Sequence, residues 1–183
     1  MTVSAHDVAA VLRERLPDIK VKKLHKLLYY CQGHHLAQFD KPLFSEPISA
    51  WDMGPVVGRL WHQENEGETV PPRRELNEAE LNTIGYVLSR YGALTGKDLE
   101  NLTHGEAPWK LANNDREPRG SATIRLDWMK YFFQTEGAPG DDDDEPLDTA
   151  DVRRWLAETT CQSPGPSRPD DLDRLRARMT RSA

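Results

Sequence analysis

His25, Cys31, His34 and His35 fall within one short stretch, KLHKLLYYCQGHHLAQF, running from Lys23 to Phe39. Thiol and imidazole groups are zinc ligands and are also the partners of cysteine nucleophilic catalysis, so the stretch raises both chemistries. Cys31 and His35 stand at i and i+4, on one face of a helix. A zinc site needs about four ligands, normally from two separated pairs. The more distant His62 and His104 have no Cys or His beside them at ligand spacing. A nucleophilic thiolate must be partly exposed and activated. Leu24, Leu27, Leu28, Cys31 and His35 share one helical stripe, however, so Cys31 is expected to face the core. Core packing is the expected role of this stretch, and no metal, cofactor or catalytic residue is assigned to it.

His104 and Glu106, in LTHGEAPW, have the types of an acid/base pair. The same residues have a structural reading. Thr103 and His104 can bond local backbone, Gly105 allows an unusual φ, Pro108 starts a turn and Trp109 anchors it. A partner-contact role is the alternative, because loop residues on a rigid scaffold often carry function. The sequence contains no Gly-rich phosphate loop, nucleophile elbow or HExxH helix, and no enzyme is expected.

The elements that must position these residues are mostly helices. Val8, Val11, Leu12 and Leu16 give a first helix closed by Pro17, and the stretch above gives the second. Ile48–Asp52 reads as a short extended segment. Gly54 then reads as a turn and Pro55 as the first turn of a third helix. Asn77 with Glu80 makes a capping box for a helix that carries Leu81, Ile84, Val87, Leu88 and Tyr91 and stops at Gly92. Thr95 opens a short helix, Pro108 one more helical turn, and Asn113–Ala122 is loop. Leu126, Met129, Tyr131, Phe132 and Phe133 suggest a last core helix. The fold class expected is mainly α: a compact multi-helix single domain with a short β element and a C-terminal helical tail. Its parts are a domain over 1–135, an acidic linker over 136–148 and a helical extension over 149–183.

Length and composition agree with that division. A chain of 183 residues suits one domain with extensions. Arg13, Glu14 and Arg15 interrupt the N-terminal stretch before a signal-peptide apolar block forms, and no apolar run approaches a membrane span. Cys31 and Cys161 sit in unlike surroundings, which argues against a disulfide framework and for a cytoplasmic protein. Residues 1–135 carry 17 Lys/Arg against 18 Asp/Glu, and residues 136–183 carry 7 against 12, so most of the net charge of -6 belongs to the tail. A nearly neutral body offers no electrostatic footprint for nucleic acid. The local exception is Lys20, Lys22, Lys23 and Lys26, expected to be a solvated helix start.

Two regions, KLHKLLYYCQGHHLAQFDKPLFSEPISAWDMGPVVGRLWH and YGALTGKDLENLTHGEAPWKLAN, resemble in order and spacing the signature regions of the Panacea domain, the SocA-like antitoxin family. The resemblance covers roughly residues 5 to 133. It implies an antitoxin that binds and neutralises a cognate toxin protein encoded nearby. Such binding needs exposed aromatic and arginine anchors with a polar rim. The candidates are Trp51, Asp52, Met53, Gly54, Pro55, Arg59 and Trp61, with His104, Glu106 and Trp109 nearby. Core packing is the competing role for Trp51 and Trp61. The acidic tail either steers toward a basic toxin or serves as a solubilising linker. A DNA-binding autorepressor built on the lysine cluster or DRLRARMTRS, and a protease-delivery adaptor, stay open as alternatives; a homodimer is permitted.

Overall fold

The computed structural model describes residues 3–67 and 72–135; the expected linker (136–148) and helical extension (149–183) lie outside them. In chain order the elements are α1 (Ala5–Arg15), α2 (Val21–Phe39), β1 (Ile48–Trp51), β2 (Gly54–Val57), α3 (Gly58–Glu66), α4 (Glu78–Tyr91), α5 (Gly96–Gly105), α6 (Ala107–Asn114), β3 (Ala122–Thr123) and α7 (Leu126–Thr135). The fold is mainly helical with one small sheet.

Three helices begin on the same local chemistry. Ser4, Asn77 and Thr95 lie extended before α1, α4 and α5, and each accepts from the backbone N–H three residues on. The acids at those positions, Asp7, Glu80 and Asp98, accept the cap's own N–H in return. Each box satisfies two amides that a helix start leaves open, and loss of such a cap costs about 1 kcal/mol.

α2 is the axis of the core. Every residue from Leu24 to Leu36 is buried, the polar ones included. Helices α1, α4, α5 and α7 and strand β2 all pack on it. A helix buried all round must satisfy its polar side chains internally. Gln32 does so by clamping the chain that follows the helix: its Oε1 accepts from the N–H groups of Leu43 (2.9 Å) and Phe44 (3.2 Å), and its Nε2 donates to the Phe44 carbonyl (2.9 Å). His35 Nδ1 meets the Thr83 hydroxyl at 2.9 Å, and His34 Nε2 meets the Tyr91 hydroxyl at 3.2 Å.

The strands form an antiparallel sheet of order β2–β1–β3, with Ala50 opposite Pro55 and Ala122. The segment expected as the start of a third helix is therefore a strand. The two-residue turn Asp52-Met53, followed by Gly54 at φ +99°, folds the chain straight back on β1, and the helix begins only at Gly58. Pro55 is tolerated because β2 is an edge strand. The outer edge is closed by α2: Lys26 Nζ donates to the Pro55 carbonyl, and the Val57 N–H donates to His25 Nδ1, both at 3.2 Å. This corrects the reading of the lysine cluster as a solvated helix start. Lys26 is buried, Lys22 pairs with Glu100 at 2.6 Å, and Lys23 donates to the Gly92 carbonyl at 2.6 Å.

α7 lies along α2 and buries Met129, Phe132 and Phe133. Leu126 and Tyr131, expected in the core, are exposed. Tyr131 lies two residues from both Met129 and Phe133 and so points to the opposite side of the helix, while Leu126 occupies its first position. The close approach of α7 depends on Gly33, where a Cβ would stand 2.1 Å from Phe133 Cε2. Gly33→Ala is therefore expected to cost about 1–3 kcal/mol through overpacking. Chemical denaturation reads this as a lowered midpoint; an unchanged midpoint shows that α7 shifts without loss.

Candidate partner-binding site

The β1–β2 hairpin and α3 bring most of one group of sequence-predicted residues together. Trp51 and Trp61 are half-buried and meet edge to face at 5.3 Å, with His62 against Trp61 at 5.1 Å. Asp52, Met53 and Arg59 are exposed, whereas Gly54 and Pro55 are buried beneath the turn. Trp51 Nε1 donates to the Ser121 hydroxyl at 3.0 Å, and the Arg116 guanidinium pairs with Asp52 at 2.5 Å. These two bonds tie the hairpin to the loop before β3.

Between hairpin, α3 and the start of α2 lies a pocket of about 600 Å³. Trp51, Asp52, Met53 and Trp61 line it together with Val21, Lys22, His25, Lys26, Val56, His62 and Arg119–Ser121. Sequence reasoning placed His25 and the lysines elsewhere and assigned no role to His62 or to Arg119–Ser121. A buried lysine gives no periodic signal, and only the chain fold brings 119–121 to this rim. Burial lowers the Lys26 ammonium to about 8 and the His25 imidazole to about 4, the latter aided by neighbouring Lys26 and Arg13.

His104, Glu106 and Trp109 do not line this pocket. Trp109 is buried and stacks on the His104 ring at 4.0 Å. Glu106 ends α5 and caps the start of α6, and its carboxylate turns toward α2, accepting from the hydroxyls of Tyr29 (2.8 Å) and Tyr30 (2.7 Å). Its proton is held up to about 7, because burial outweighs the two hydroxyl donors. His104 and Glu106 thus face different surroundings and make no hydrogen-bonded acid/base pair with each other. Cys31 is fully enclosed, and burial pushes its thiol far above the ordinary range, the opposite of an activated nucleophile.

Residues 24–110 match the family model described as antitoxin SocA-like, Panacea domain. Over this segment the chain is similar to that antitoxin family. No curated protein and no solved structure matches the chain. The matched segment contains α2 from Leu24 onward, the hairpin and α3, and hence Trp51, Trp61, His25 and Lys26. The rest of the pocket wall, Val21, Lys22 and Arg119–Ser121, comes from outside it. Among the described residues no helix is long and apolar enough to cross a membrane.

The Glu106 carboxyl gives the domain a defined pH response. Its folded-state value is raised from 4.5 to about 7, so the stability its protonated form contributes is fully present below about pH 4.5 and lost as pH rises through about 7. His25 and His34, both held near 4 by burial, act in the opposite sense: their contribution is present above about pH 6.5 and lost as pH falls through about 4. Comparing Glu106→Gln with the native protein isolates the first effect. The variant's stability relative to native is expected to rise from about pH 4.5 to about pH 7 in urea titrations, whereas a constant difference means that folding leaves the carboxyl's proton affinity unchanged.

Proposed function

We propose that the protein is a cytoplasmic antitoxin that neutralises a cognate toxin, encoded nearby, by direct binding, and that the described domain carries this activity without chemistry of its own. The match of residues 24–110 to an antitoxin family is the observation that carries the reading. The surface of the hairpin and α3 supports the mode. Met53 is 54% exposed, Trp51 and Trp61 are half-buried on a braced scaffold, and Arg59 is exposed. Aromatic and arginine side chains with a polar rim are the usual anchors of a protein interface. The repressor reading loses support from the N-terminal lysines, since Lys22, Lys23 and Lys26 are engaged within the fold. DRLRARMTRS lies outside the described residues.

Co-expression of the chain with the product of the adjacent reading frame tests the reading. Rescue of growth together with a stable complex is expected. Rescue without a complex turns the assignment to a protease-delivery adaptor or a repressor, and a harmless neighbour removes it.

Within the complex, Arg59→Glu and Trp61→Ala are each expected to weaken binding by about tenfold or more, with cooperative unfolding retained. A fall in stability of about 3–5 kcal/mol for Trp61→Ala assigns that ring to the core instead.

A further inference from the structure

One side chain on the rim of the pocket beside the hairpin has no task within the fold. Arg119 lines the pocket and is exposed, and among the described residues its guanidinium makes neither an ion pair nor a hydrogen bond. Its backbone stands at φ +62°, in the left-handed region that a residue with a Cβ seldom adopts and that glycine or asparagine takes at less cost. The loop around it is held firmly. Arg116, whose side chain is only 10% exposed, donates to Asn113 Oδ1 at 3.0 Å, to the Gly120 carbonyl at 3.1 Å and to Asp52 at 2.5 Å. The Gly120 N–H in turn donates to the Glu117 carbonyl at 2.8 Å. An unfavourable backbone conformation kept under an unengaged cation, in a braced loop at a pocket mouth, points to a task outside the fold.

The charges around the pocket define what Arg119 would meet. Asp52, the acid of the lining, is paired with Arg116, and Lys22 is paired with Glu100. Lys26 is enclosed against the Pro55 carbonyl. Arg119 is thus the uncompensated charge that solvent reaches, and Arg59, exposed two residues before Trp61, has no ion-pair partner among the described residues either. A cationic mouth of this kind favours an acidic side chain and disfavours a basic one. The walls behind it are apolar: Trp51 and Trp61 meet edge to face at 5.3 Å, with Met53 and Val56 beside them. The volume of about 600 Å³ admits a ring-sized side chain, and aromatic edges and faces are what such a ring packs against best.

We propose that this pocket anchors the protein partner by taking one of its aromatic side chains against Trp51, Trp61 and Met53, while Arg119 on the rim pairs with an acidic side chain next to that ring. The proposal rests on the direct-binding reading above and adds the chemistry of the contact. The ring supplies most of the affinity, and the exposed ion pair supplies orientation and discrimination. Arg116 and Arg119 fall outside residues 24–110, so this selectivity belongs to the chain beyond the matched segment.

The test uses the full chain and blocked tripeptides, so it does not depend on knowing the partner. Acetyl-Asp-Phe-Asp-amide is titrated at low ionic strength while the indole N–H resonances of Trp51 and Trp61 are followed, with acetyl-Lys-Phe-Lys-amide and acetyl-Asp-Ala-Asp-amide as counterparts. Saturable shifts are expected with the first peptide, about fivefold weaker binding with the Lys peptide, and about tenfold or more with the Ala peptide. Arg119→Glu is expected to reverse the preference between the Asp-Phe-Asp and Lys-Phe-Lys peptides. Arg119→Asn removes the cation but suits φ +62°, so it is expected to abolish that preference without lowering the denaturation midpoint, which a merely structural arginine would not allow. Equal affinity of the native chain for the Asp-Phe-Asp and Lys-Phe-Lys peptides, no saturable indole shift, or an unchanged preference in Arg119→Asn overturns the proposal. Failure of the neighbouring gene product to bind, with the peptide results intact, sinks the toxin reading alone; native affinity of that product for Arg119→Glu overturns the proposal and leaves the toxin reading standing.

Discussion

The outer edge of β2 is closed by two consecutive residues of a helix, and the arrangement of the site follows from that closure. An edge strand presents unpaired N–H and C=O groups that must be covered, blunted or paired. Here Lys26 covers the carbonyl of Pro55 and His25 the N–H of Val57. For Lys26 to reach that carbonyl its stem must cross the hairpin where Gly54 sits, and a Cβ there would lie 2.7 Å from Lys26 Cε. Gly54 is doubly constrained, by this crossing and by its φ of +99°. The tight turn it permits sets Trp51 and Met53 on the pocket rim, and the end of β2 aims α3 so that Trp61 meets Trp51. Lysine burial, glycine conformation and aromatic cluster are thus one linked constraint.

The same logic explains how α2 can be both polar and buried. Its histidines, tyrosines, glutamine and Lys26 between them reach four neighbours: β2, the segment after the helix, α4, and the joint between α5 and α6. Buried polar contacts of this kind contribute little net energy when satisfied and cost heavily when broken, so they select one arrangement of the surrounding elements. Glu106 is the extreme case. Two tyrosines of α2 hold the only acid at the α5–α6 joint, and their hydroxyl bonds only partly offset its burial.

Legibility of the fold in the sequence followed from how local each cause was. Asn77 and Thr95 announce their helices through side chains that act within one turn, and the Leu24–Leu27–Leu28–Cys31–His35 stripe identifies a core helix by period alone. β1 was readable between its prolines. β2 was not, because proline after glycine reads equally as a helix start, and only pairing with β1 decides between them. Lys26 was misread for a stronger reason: a buried lysine is rare, and its justification is a carbonyl on a strand distant in sequence. The tryptophans, Asp52 and Met53 line the pocket close together in sequence, whereas His25 and the 119–121 loop join it only through the tertiary fold.

What distinguishes the pocket from ordinary core is that its walls are fixed while its polar groups are unsatisfied. Trp51 is held by Ser121, Asp52 by Arg116 and Lys22 by Glu100, so a ligand entering it would have little side-chain motion to arrest. The fold uses Lys26 and His25 to close the strand edge, and that use consumes one hydrogen-bonding position of each and leaves His25 Nε2 buried without a partner among the described residues. A hydrophobic pair at these positions could not close the edge. The incomplete satisfaction is therefore a cost that the fold bears to close the strand edge with a helix.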